Sequence, residues 1–171
     1  MKKIFLNNFW WILLFLLLVF LDQYSKYLIR ANFSLYQTKQ ILPILALTYT
    51  TNTGVVFGWF AGVNFLFVVV VTLILIFVLI SAKEIIKEMG PLGKLVVCLI
   101  ISGGVGNLID RIFLGKVTDF IDLQWNYKNI WPIFNFADSY VFIGVCIVIM
   151  KYLFTKIKFF KVQKRNVSNS I

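Results

Sequence analysis

Residues 63–82 read VNFLFVVVVTLILIFVLISA, without a single charge. As an α-helix, about 20 such residues span about 30 Å, the thickness of a bilayer's hydrocarbon core. No water is available there to bond the backbone, so the segment must satisfy its own N–H and C=O groups as a spanning helix. Three other runs have the same character. Residues 4–21 carry no charge, 95–114 only the adjacent Asp110 and Arg111, and 133–150 only Asp138. With the first run extended to take in Asp22 and Lys26, the sequence predicts four spans at about 8–29, 63–82, 95–114 and 134–154. Outer loops at 30–62 and 115–133 join them, with a short connection between spans two and three. Residues 1–171 are expected to form one integral-membrane unit.

Composition agrees with this. Of 171 residues, 60% are hydrophobic and only 14% charged, which excludes an ordinary soluble domain. The net charge of +10 would suit a nucleic-acid binder, but its distribution does not. Lys2 and Lys3 precede the first span, Lys83, Lys87 and Lys94 lie between spans two and three, and Lys151, Lys156, Lys158, Lys161, Lys164 and Arg165 follow span four. Basic residues favour the cytoplasmic side, so both termini and the short connection are expected there. The basic tail is an expected contact for anionic membrane lipids, and no nucleic-acid partner is expected. Met1-Lys2-Lys3 before an apolar run also resembles a secretory signal segment. The run ends in Asp22 and Lys26 rather than in a small-residue cleavage site, so it is read as a span.

In this topology all five aspartates, Asp22, Asp110, Asp119, Asp122 and Asp138, fall at the outer level of the membrane. Ionisable groups at membrane depth are costly and mark function by default. The chain has no histidine, so acid–base chemistry falls mainly to carboxylates. Asp119 and Asp138 are each lone acids among apolar and aromatic neighbours, a setting that raises a carboxyl pKa. Two such groups brought together would share a proton, one acting as acid and one as base, as an aspartyl protease requires. The sequence leaves open whether they meet.

Asp22 and Lys26 are four apart and share a helix face as an ion pair. Ser102 and Gly106 have the small-xxx-small spacing of close helix contacts. Asn107 and Arg111 are also four apart, and Arg111 is suited to hold a carboxylate bidentately. Asn52, Asn107 and Asn135 offer amides to a peptide or to the acids. In the first outer loop, residues 41–51 (ILPILALTYTT), a Thr51-Asn52-Thr53-Gly54 turn and an apolar stretch at 55–60 suggest a short meander or hairpin. Cys98 and Cys146 lie within spans and imply neither a disulfide nor a metal site. A proton-coupled transporter using the outer carboxylates as a relay is the alternative reading.

Taken together, the segments resemble the bacterial lipoprotein signal peptidase (signal peptidase II) family over nearly the whole chain. Asp22-Gln23-Tyr24-Ser25-Lys26 is similar to its D-Q-x-x-K box, and Asn52-Thr53-Gly54-Val55-Val56-Phe57-Gly58 to its N-x-G-x-x-F-G box. Residues 103–111 (GGVGNLIDR) match G-x-x-G-N-x-x-D-R, Val117-Thr118-Asp119-Phe120 matches V-x-D-F, and residues 134–138 (FNFAD) match F-N-x-A-D. Val55 and Val56 replace smaller alanines frequent in the second box.

The resemblance implies catalytic roles for Asp119 and Asp138. It implies a supporting set of Asp22, Lys26, Asn52, Gly54, Asn107, Asp110, Arg111, Asn135 and Ala137. The implied fold is an all-α membrane protein of four transmembrane helices, with a small extracytoplasmic β-cradle from the first outer loop. The implied reaction cuts prolipoproteins on the N-terminal side of a diacylglyceryl-modified cysteine. It would occur in the bacterial cytoplasmic (inner) membrane, near the outer leaflet, without metal or cofactor. Cyclic peptide antibiotics of the globomycin type are implied inhibitors.

Overall fold

The computed structural model describes the backbone of residues 2–53 and 64–168, and the side chains of 9–53 and 64–156. Gly54, Val55, Val56 and the 55–60 stretch lie outside the described residues. The chain runs α1 (Lys2–Asn32), β1 (Thr38–Leu42), β2 (Leu45–Asn52), α2 (Asn64–Met89), α3 (Pro91–Leu114), β3 (Val117–Trp125), β4 (Lys128–Asn129) and α4 (Phe136–Ser168).

Burial in this molecule is inverted. Phe77 and Ile80 are 69% and 74% exposed, whereas Asp22, Lys26 and Asn135 are fully buried. Water would not tolerate so much apolar surface on a monomer, but lipid does. Four helical stretches are long and apolar enough to cross a membrane: Phe9–Asn32, Asn64–Met89, Pro91–Leu114 and Phe136–Lys156. These overlie the four expected spans, and the protein is a multi-pass membrane protein.

α3 is the central helix and packs on α1, α2 and α4. The α2–α3 connection is tight because Gly90 adopts φ 61° and Pro91 starts the next helix with its φ already set. Two glycines bring α3 close to its neighbours. A Cβ on Gly106 would lie 2.5 Å from Asp22 Oδ2 and 3.2 Å from Ala137 Cβ. One on Gly103 would overlap the Ala137 carbonyl oxygen. Gly103→Ala and Gly106→Ala should therefore lower the thermal midpoint in detergent, at an overpacking cost of ~1–3 kcal/mol. At Gly104 the nearest atoms to a new Cβ belong to the Leu75 side chain, which can shift more easily than backbone, so Gly104→Ala should cost less. Equal losses at all three would contradict this account of the packing.

The cradle draws on both of the longer loops between helices. The four strands pair antiparallel in the order β1-β2-β3-β4, so the first loop contributes two strands and the second loop the other two. The expected single run at 41–51 is split. Pro43 has no N–H to donate to a ladder, and the chain turns at Pro43 and Ile44. The hairpin of β1 and β2 therefore closes there. Residues 115–133, expected as a loop, hold β3 and β4, with Asn126 and Tyr127 at positive φ in the turn between them.

Candidate active site

The chain just before α4 builds the centre of the site. Asn135 precedes the first helical residue, and its Oδ1 accepts the Asp138 N–H at 3.0 Å. In return Asp138 Oδ2 accepts the Asn135 N–H at 3.2 Å. This reciprocal pair is a capping box, and it holds the Asp138 carboxylate at the positive end of the helix. The next unpaired helical donor, Ala137 N–H, is taken by Asp22 Oδ1 at 2.9 Å, which locks α1 to α4.

The Asn135 side-chain amide reaches across to β3, where its Nδ2 donates to Asp119 Oδ1 at 2.6 Å. The same nitrogen lies 3.1 Å from Asn107 Oδ1, and Asn107 Nδ2 donates to Asp138 Oδ1 at 2.7 Å. The Asp119 and Asp138 carboxylates are thus joined through the Asn135 and Asn107 amides, although nineteen residues separate them in the chain. Asn52, at the end of β2, also hydrogen-bonds the Asp119 side chain.

A charged network lies behind these groups. Lys26 Nζ contacts Asp22 Oδ2 at 2.9 Å and Asp110 Oδ2 at 3.7 Å, and donates to Asn107 Oδ1 at 3.0 Å. Asp110 Oδ2 accepts the Thr118 N–H at 2.9 Å, which ties α3 to β3 one residue before Asp119.

Desolvation is the main reason the Asp119 carboxyl is pushed up to about 7, and the facing Asp138 carboxylate adds to it. The Asn135, Lys26 and Asn52 contacts oppose the rise. The sign of the linkage is fixed. An unfolded Asp ionises near 3.8, so between there and about 7 the folded chain holds the extra proton. Stability is full below that window and falls as pH rises through it. Asp119→Asn has no proton to lose. It should melt higher than the native protein at pH 8, with the gap closing towards pH 4.5. A gap independent of pH in detergent calorimetry would contradict this origin of the shift.

Most residues expected from sequence converge here: Asp22, Lys26, Asn52, Asn107, Asp110, Asp119, Asn135, Ala137 and Asp138. Arg111 departs from expectation. Among the described residues it makes no carboxylate ion pair. Its guanidinium lies 5.6 Å over the Phe67 ring and donates to Asn107 O at 3.4 Å. The nearby acids are already occupied, Asp110 by Lys26 and Thr118, and Asp138 by the two asparagines. Asp122 also departs, lying in a separate polar cluster with Thr48, Gln124 and Asn129.

Gln23, the second residue of the D-Q-x-x-K box, and Arg30 join the network with no role expected from the sequence. Gln23 Nε2 lies within 3.3 Å of Asp22, Asp110 and the Gly106 carbonyl. Arg30 donates to Thr118 Oγ1 at 3.0 Å. A polar amide inside a span was the available signal for Gln23.

A cavity of about 860 Å³ opens beside Asp138, between α2, α3, α4 and β3. Apolar side chains such as Val71, Leu75, Ile100 and Phe142 line most of it, and Asn107, Arg111 and Asp138 form its polar end. An extended apolar chain fits such a space, with its polar end at Asp138.

The family model described as Signal peptidase (SPase) II matches residues 14–154. A lipoprotein signal peptidase of Moorella thermoacetica is 40% identical over 83% of this chain and 91% of that protein. One from Fusobacterium nucleatum is 37% identical over 84% and 86%. Two solved structures of a bacterial membrane enzyme superpose with TM-scores of 0.73 and 0.75, each at 32% identity over 84% of this chain and covering 87% and 92% of theirs.

Proposed function

Since the chain belongs to the signal peptidase II family, which removes signal peptides from lipoproteins, we propose that it is an aspartyl endopeptidase working through Asp119 and Asp138. The observation that carries this reading is Asn135, whose side-chain amide donates to the Asp119 carboxylate and whose backbone N–H donates to the Asp138 carboxylate. Both Asp138 oxygens accept N–H donors, an arrangement suited to the carboxylate that takes a proton from water. Asp119 carries the shared proton and gives it to the scissile carbonyl oxygen as the water oxygen adds to the carbon. As the tetrahedral intermediate collapses, one of its hydroxyls returns a proton to Asp119, the C–N bond breaks, and the proton held on Asp138 passes to the leaving amine. Lys26, Asp22, Asp110, Asn107 and Ala137 fix the frame, Asn52 orients Asp119, and Arg111 borders the substrate path.

The substrate is a prolipoprotein cut N-terminal to a diacylglyceryl-modified cysteine. The acyl chains stay in the bilayer, and the apolar cavity receives signal helix or lipid. A cyclic lipopeptide of the globomycin type would occupy the same space and block the acids. The protein sits in the bacterial inner membrane with both termini cytoplasmic and the acids near the outer leaflet. A transporter is not favoured, because the linked carboxylates gather at one end of the bundle rather than crossing it.

The direct test incubates the purified protein with a diacylglyceryl prolipoprotein peptide and weighs the products. Scission one bond before the modified cysteine is expected, with little cleavage of the peptide carrying a free thiol. An intact diacylated peptide would refute the assignment. Reporters fused at Lys87 and at the C-terminus should read cytoplasmic, and reporters at Gln37 and Asn126 external. An external reading at Lys87 would overturn the orientation.

A further inference from the structure

Asp122 is a buried carboxylate that the proposed chemistry does not use, being only 1% exposed. Among the described residues no Lys or Arg pairs with it. It is held instead by neutral donors: Thr48 Oγ1 at 2.7 Å, Gln124 Nε2 at 2.6 Å and Asn129 Nδ2 at 2.9 Å. Burying a charge this way is costly, so its position in the sheet calls for a reason.

The register supplies one. Leu47 stands opposite Ile121, and Thr50 stands opposite Asp119. Three steps along β2 therefore match two along β3, which places a β-bulge at Thr48 and Tyr49. Before the bulge, Ala46 and Thr48 share the Asp122 face of the sheet. After it, Thr50 and Asn52 share the Asp119 face. Without the extra residue the alternation of side chains would carry Asn52 to the wrong side. The Thr48 hydroxyl, which Asp122 holds, is at this point of reversal. Thr38 Oγ1, 2.9 Å from Thr48 Oγ1, ties in β1 as well.

We propose that Asp122 is a positioning residue: by fixing Thr48 at the bulge, it sets the register that turns Asn52 onto Asp119. The inference rests on the reading of Asp119 as catalytic. It assigns Asp122 no contact with substrate.

The test follows the pH–rate profile of cleavage. Asn52 holds the Asp119 carboxyl down, against the upward push of burial and Asp138. Asp138 on α4, Lys26 on α1 and Arg111 on α3 are the charged groups facing Asp119, and none is altered in the variants. Asp122→Ala should cut kcat by up to about 10²-fold, the scale of a misplaced catalytic group, with KM little changed. It should also move the alkaline limb of the profile to higher pH. Asn52→Ala should move that limb equally, and the double variant no further. Asp122→Asn keeps an acceptor oxygen for Thr48 and should restore most of the rate.

Thr48→Val exchanges the hydroxyl for a methyl of similar size and should reproduce the limb shift; it carries the test if Asp122→Ala does not fold. A slower enzyme with an unmoved limb, or limb shifts that add in the double variant, would overturn the proposal. Full turnover by Asp119→Asn would instead strike the underlying catalytic reading, so the two failures are distinguishable.

Discussion

Asp119→Asn and Asp138→Asn should each abolish cleavage while the protein remains folded and still binds an uncleaved lipopeptide. Each substitution preserves shape, and the Asn135 amide can still donate to the oxygen that remains at position 119. What is lost is the ability to carry a proton. General acid–base catalysis is worth ~10²–10⁴-fold. Because the pair acts as a unit, the double variant should be no worse than either single one. Binding survives because the cavity walls, rather than the acids, supply most of the contact with an apolar ligand. Near-normal turnover in either variant, with the amide verified by mass spectrometry, would exclude the aspartyl pair.

The second large effect is on stability. Lys26 is fully buried and faces two carboxylates, Asp22 and Asp110, that are themselves 0% and 1% exposed. Lys26→Met keeps the apolar stem but leaves Asp22 without its cation and Asp110 with only Arg30, 3.9 Å away. Breaking a buried pair from one side costs ~3–5 kcal/mol. Adding Asp22→Asn should recover much of that loss, since the amide can still accept the Ala137 N–H. Thermal midpoints in detergent across the native, single and double variants measure this directly. A single variant as stable as the native protein would show that the Lys26 cluster is not a structural tie.

These expectations differ in how far the sequence alone could have carried them. The spans were legible because hydrocarbon imposes one rule on every residue of a long segment. The Asp22–Lys26 pair was legible because four residues is one helical turn. The meeting of Asp119 with Asp138 was not, since it depends on β3 folding back against the start of α4. The capping box at Asn135 and Asp138 was present in the spacing of the two residues, three apart. Pro43 marked the split of the first-loop strand, and the missing donor was the clue. β3 was missed because its buried acids interrupt the apolar alternation that identifies a half-buried strand. The separation of Asp122 from the other four acids had no local signal, because a bulge in a different strand decides which residues share the Asp119 face.

The central claim is a proton shared by Asp119 and Asp138, and the pH dependence of cleavage by the native enzyme tests it most directly. With the Asp119 carboxyl pushed up to about 7, the rate on a diacylglyceryl prolipoprotein peptide should be bell-shaped. It should fall on the alkaline side as pH rises through about 7, where the pair loses its proton. A rate that stays level or keeps climbing well above that point would contradict the account.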